Sequence, residues 1–218
     1  MIRKRTAFLA AAVVSMGLAT GAHAQQGAAQ INQFRGTNVG TFVTFGPTAV
    51  CADGSVGSVN GFGFIFASES VSHQPGGAPV INNGVSIDIF DYFNSCTGDF
   101  IGFGVAGFAN GYRGPNPALI SAAISGSTLV QDLDTGASFP ITLNLVFSGQ
   151  GPISTSKGTT VTHDVPGFSV IVQRGSFPSR SAGVTGTITI NGLEPDASFS
   201  SSTLAGNSSA TVTVQQQN

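Results

Sequence analysis

The chain is expected to fold as a single all-β domain, an antiparallel β-sandwich of about 8–11 strands, with a closed or partly open β-barrel as the alternative. Three observations predict this. First, residues 128–148 read as two arms around Asp134-Thr135-Gly136. The second arm sets Ile141, Leu143, Leu145 and Phe147 against Thr142, Asn144, Val146 and Ser148, the period of two that marks a half-buried strand. Second, short apolar or alternating runs recur along the chain with Gly, Pro, Asn and Asp between them, and no helical period is found after residue 24. Third, hydrophobic residues make up 41% of the chain, with 17 Phe and 30 Gly, which is enough apolar material to bury a core. A sandwich is preferred to a membrane barrel because aromatic girdles are missing: Trp is absent and the only tyrosines are Tyr92 and Tyr112.

Taken in order, residues 1–24 read as a signal peptide. Arg3, Lys4 and Arg5 begin it, an apolar run spans 7–18, and Ala22-His23-Ala24 offers small residues for cleavage after Ala24. The apolar run is short for a membrane span. Residues 25–33 are polar and expected to be loose. Strands are expected at 41–45 and 58–71. In the second, Phe62, Phe64 and Phe66 oppose Gly61, Gly63 and Ile65; the phenylalanines are taken as core and the glycines as a face for close backbone approach. Residues 72–83, with Pro75, Gly76, Gly77 and Pro79, read as a loop.

Strands follow at 85–93 and 99–108, joined by a hairpin turn at 94–98. Residues 109–117 (A-N-G-Y-R-G-P-N-P) are the clearest loop. Then come a strand at 119–124, the 128–148 hairpin, and a loop at 149–158. Strands at 159–163 and 168–173 flank a Pro166-Gly167 turn, 181–191 alternates, and 210–214 is a last strand before a loose tail at 215–218.

The chain carries eight Lys+Arg and ten Asp+Glu. Three of the basic residues lie in the leader, leaving five against ten, a net of −5 after cleavage. Mild acidity with isolated Arg35, Arg113, Lys157, Arg174 and Arg180 gives no footprint for nucleic acid and no polybasic lipid patch. Charged residues are only 8% of the chain, well under the usual quarter, so hydroxyls and amides must keep the surface wet. Cys51 and Cys96, an even pair in an exported chain, are expected to form a disulfide. It would tie the N-terminal strand pair to the 85–108 hairpin and contribute about 4 kcal/mol in the chain-entropy model.

Candidate chemistry is sparse. Asp134-Thr135-Gly136-Ala137-Ser138 is similar to the active-site string of retropepsin-like aspartic proteases. That resemblance covers five residues and implies Asp134 as a catalytic carboxylate, completed by a second copy in a shared-proton dyad. Asp132 stands where the pattern has an apolar strand residue, and no apolar-apolar-Gly partner follows downstream. The same string reads as the turn of a hairpin. Asp132 and Asp134 are also candidate cation ligands, as are Asp88, Asp91 and Asp99, but an EF-hand's Gly position and closing Glu are missing. His73 and His163 lack the partners of a triad or a zinc site. In the 109–117 loop, Tyr112 and Arg113 are the candidate binding residues.

The expected function is therefore non-enzymatic binding or assembly, at the bacterial envelope or outside the cell, in the periplasm or extracellular space. No cofactor, no nucleic acid and no integral membrane part after cleavage are expected; self-assembly or an envelope partner is. In a generic way the chain resembles pilus subunits, being Thr/Ser/Gly-rich with a terminal alternating strand, but the penultimate Tyr of usher-assembled subunits is replaced by Gln217-Asn218. The alternatives are an aspartic hydrolase using Asp134 and a carrier of small apolar ligands with a Phe-lined cavity.

Overall fold

Alternation along the chain becomes nine antiparallel strands in one hydrogen-bonded sheet. The computed structural model of the protein describes residues 29–164 and 169–215; the leader, its cleavage site, the Pro166-Gly167 turn and residues 216–218 lie outside them. The strands are β1 (Ala29–Val50), β2 (Val56–His73), β3 (Val80–Asn94), β4 (Asp99–Ala109), β5 (Tyr112–Arg113), β6 (Ser121–Asp132), β7 (Ser138–Asp164), β8 (Ser169–Ile190) and β9 (Pro195–Gln215). The expected all-β antiparallel architecture is thus the one adopted, and no helix occurs among the described residues.

The spatial order is β4-β3-β2-β1-β9-β8-β7-β6-β5, and β4 also pairs with β6 through Gly104↔Asp132 and Val105↔Gln131. That short pairing brings the two ends of the sheet together and makes it ring-like. Inside lies a core of Val39, Val43, Ile65, Ile87, Ile89, Leu145, Phe147, Ile188 and Leu204 with their neighbours. At about 1.5–3 kcal/mol for each large apolar side chain removed from water, these contacts are the main driving term.

The tight turns β1–β2, β3–β4, β6–β7 and β8–β9 all fall at one end of the ring. At the other end the strands outrun their covering wall. β4 ends at Ala109, opposite Gly84, and β6 begins at Ser121, opposite Ser148. Beyond those positions β3, β2, β1, β9, β8 and β7 continue as a projecting sheet, down to Ile31↔Val212, Val212↔Val172 and Val172↔Val161.

This projection corrects several expectations. Residues 29–33 are not loose but belong to β1, paired with β9. Residues 149–158 are not a loop but continue β7, after a register shift between Gln150 and Ser154. The 72–83 loop shrinks, since Ser72 pairs with Val80, and Gln215 of the expected tail pairs with Ser169. Gly- and Ser-rich composition suggested loops at these places, but backbone pairing to two neighbours stabilises extended chain that local propensity leaves undecided.

The Cys51–Cys96 disulfide is formed, with Cα atoms 5.3 Å apart. It joins the end of β1 to the β3–β4 turn, as expected, and is compatible with an oxidising, exported compartment.

Candidate functional site

The sharpest chemical candidate sits in the β6–β7 turn. The Asp132 N–H donates to Ala137 O at 2.8 Å, and the Gly136 N–H to Asp132 O at 2.8 Å. Gly136 closes this turn at φ 75°, in the left-handed region that glycine enters without steric cost. The Asp132 carboxylate is itself part of the turn: it accepts the Thr135 hydroxyl at 2.5 Å and, more weakly, the Asp134 N–H at 3.4 Å. Asp132 is buried, and the hydroxyl of Thr135 holds its carboxyl below the usual carboxylate range against the opposing effect of burial.

Asp134, the would-be catalytic residue, is exposed and lies over the backbone of Gly102. Nothing in the turn aims a second carboxylate at it, so the string behaves as hairpin chemistry. Among the described residues no three His, Cys, Asp or Glu side chains gather as metal ligands. Asp88 lies on β3, Asp91 in a bulge and Asp99 at the start of β4, where it accepts from Thr97 and Asn191. His73 ends β2 exposed, and the side chain of His163 is outside the described part.

The loop candidates separate. Tyr112 pairs with Ile124 and is only 4% exposed, so it is a core residue instead of a platform for a ligand. Burial pushes its hydroxyl up to about 12, with the Thr37 side chain opposing that shift, and among the described residues the hydroxyl meets no partner within normal hydrogen-bond geometry. Arg113, its neighbour, is exposed.

The phenylalanines reverse the expected orientation. Gly63, Ile65 and Ala67 point into the ring, while Phe62, Phe64 and Phe66 point out, at 36%, 51% and 47% exposure. The bulge at Asp91 (φ 49°) opposite Gly61 (φ 129°) then turns Tyr92 inward. A Cβ on Gly61 would lie 2.7 Å from the Tyr92 Cα, so this close approach requires glycine.

Outside, Phe42, Phe62, Phe90 and Phe103 form a row across β1, β2, β3 and β4. Successive ring centroids are 5.7, 5.2 and 4.9 Å apart, and Phe64 meets Phe42 edge-on at 5.0 Å. Phe93 and Phe100 add exposed rings below the row. Together the exposed rings leave on the order of 400 Å² of apolar surface open to water, the scale of a surface patch that carries an interaction. The opposite half of the ring differs. Its outer face is hydroxyl and amide around Thr142 beside Thr189, Asn144 beside Thr187, and Ser127 bonded to Thr142 at 2.8 Å, with scattered aliphatics such as Leu129 and Val146.

Comparison with known protein families, with curated relatives and with solved structures finds no match. The surface itself therefore has to supply the functional argument. The outward Phe face was missed in the sequence because alternation separates two faces without saying which is buried. The available signal was volume: Gly63, Ile65 and Ala67 form a stripe of small and β-branched residues suited to the close-packed inside of the ring.

Proposed function

We propose that the protein is an exported, non-enzymatic β protein that works by assembly, presenting surfaces to further copies of itself at the bacterial envelope or outside the cell. The exposed Phe row on β1–β4 is the observation that carries this reading. A soluble chain keeps such a patch when something covers it. Self-association suits it because the patch bears no cation, only the carboxylates Asp88, Asp91 and Asp134 at or beside its rings, so an anionic lipid surface has nothing to bind. The leader-like residues 1–24, the disulfide and the low charge support export.

Sedimentation velocity on the mature chain tests the reading. Concentration-dependent association is expected, and Phe64→Ser with Phe66→Ser shifts the protein towards monomer while leaving the melting temperature nearly unchanged, because both rings are already outside the core. A monodisperse wild-type monomer at high concentration removes the proposal.

A further inference from the structure

Basic residues that are isolated in the sequence meet on one face of the projecting sheet. Pairing sets Arg35 beside Ser208, Ser208 beside Ser176, and Ser176 beside Lys157. The next row is Gln33, Ala210, Arg174 and Thr159. Both rows continue the face that holds Val39 and Leu204 in the core, so all three cations stand on the inner side where the ring has opened. With strands about 4.8 Å apart and about 6.7 Å between same-face residues, the Arg174 Cα lies roughly 8 Å from that of Lys157 and roughly 12 Å from that of Arg35. All three side chains are exposed. A depression of about 300 Å³ lies between Arg35 and Arg174, lined also by Gln33, Ser176 and Ser208.

Most carboxylates are elsewhere; Asp164, paired with Ser169 at the outer end of β7, is on the projecting sheet. Asp53, Asp99, Asp132, Asp134, Glu194 and Asp196 lie in or beside the turns at the far end of the ring. Glu69, on β2 beside Thr37, is the one carboxylate among the described residues on the inner face near Arg35, and it accepts from Asn83 at 2.9 Å. The molecule is thus acidic at its turn end and basic on its open sheet, and this separation survives a net negative charge.

We propose that this inner face binds an acidic polysaccharide, with Arg35, Arg174 and Lys157 holding its carboxylate or sulfate groups. Arginine takes such groups by two parallel N–H donors. Between the cations lie Ser, Thr and Gln side chains, which match the hydroxyls of a sugar chain. Three separated cations suit a polymer with charges at intervals. Among the described residues a base-stacking platform is missing, because Phe34 and Phe177 alternate onto the other face. Arg180, the fourth cation of this face, is held to Gly151 O at 2.8 Å, and the three exposed cations fall short of the four to eight that mark a lipid surface.

The test is calorimetry of the mature chain at low salt with polygalacturonate, dextran sulfate and neutral dextran. One or both acidic polymers are expected to bind, neutral dextran not, and binding should weaken steeply as salt rises. Arg35→Gln with Arg174→Gln is expected to lower affinity at least tenfold with an unchanged melting temperature. Arg113→Gln, off this face, and the Phe64/Phe66 double variant should bind like wild type, which separates this site from the assembly surface. Absence of binding to both acidic polymers, undiminished binding by the arginine double variant, or equal binding to single-stranded DNA of matched charge overturns the proposal.

Discussion

The same strands run through two different surroundings. In the closed part of the ring, the inward residues of β1, β9 and β7 are Val39, Leu204 and Leu145, all buried. In the projecting part, the same inward face carries Arg35, Ser208 and Lys157. Backbone pairing is continuous between the two. What changes is the opposite wall: β4, β5 and β6 cover the closed part and stop short of the projection. Inward is therefore a chemical category only where something faces it. Where the wall ends, the rows through Arg35 and Arg174 put charged and hydroxyl side chains on that face, and aliphatic residues return further out in the row Ile31, Val212, Val172 and Val161.

The largest way to test this contrast is to cut the covalent tie of the closed part. Replacing Cys51 and Cys96 with Ser is expected to cost about 4 kcal/mol, read as a lower urea midpoint. If the double variant unfolds like wild type, the closed part does not depend on that staple.

A paired substitution compares the two regions directly. Leu145→Ala removes a fully buried side chain and is expected to cost about 2–5 kcal/mol. Val161→Ala, on the same strand and face but 51% exposed, should stay within about 0.5 kcal/mol. Equal effects in chemical denaturation would mean that the projection is packed as tightly as the ring.

A smaller effect than that of the Leu145 truncation is expected at the β6–β7 turn. The Asp132 carboxyl lies below its ordinary range in the folded chain because the Thr135 hydroxyl donates to it. Its stabilising effect is therefore present above the unfolded value, about 3.9, and is lost as pH falls through the lower folded value. Thr135→Ala should cost about 1 kcal/mol at neutral pH and give a shallower loss of melting temperature on acidification. Parallel acid profiles for variant and wild type would show that this hydrogen bond does not contribute.

How much of this was legible in the sequence follows from the range of each interaction. The second arm of the hairpin was readable because Ile141, Leu143, Leu145 and Phe147 alternate with polar residues without a break. The disulfide was readable because two cysteines in a chain read as exported leave one pairing. The Asp134-Thr135-Gly136 turn was readable as a turn from residue types alone, in preference to the protease fragment it is similar to, and the structure adds that the Asp132 carboxylate accepts hydrogen bonds within it. Local propensity failed at 149–158 and 29–33, where pairing to distant strands makes extended structure out of Gly-, Ser- and Gln-rich chain.

The sequence by itself determined the all-β class, the covalent bridge, the turns at 94–98 and 134–136, and the two faces of clearly alternating strands such as 141–148. The tertiary structure alone decided which face is inside. That choice turned Phe62, Phe64 and Phe66 outward and Tyr112 inward, and it gathered Arg35, Lys157 and Arg174 from three strands onto one open sheet. The physical reason is that a period of two is a property of one strand, whereas burial depends on which strands lie opposite and how far they extend.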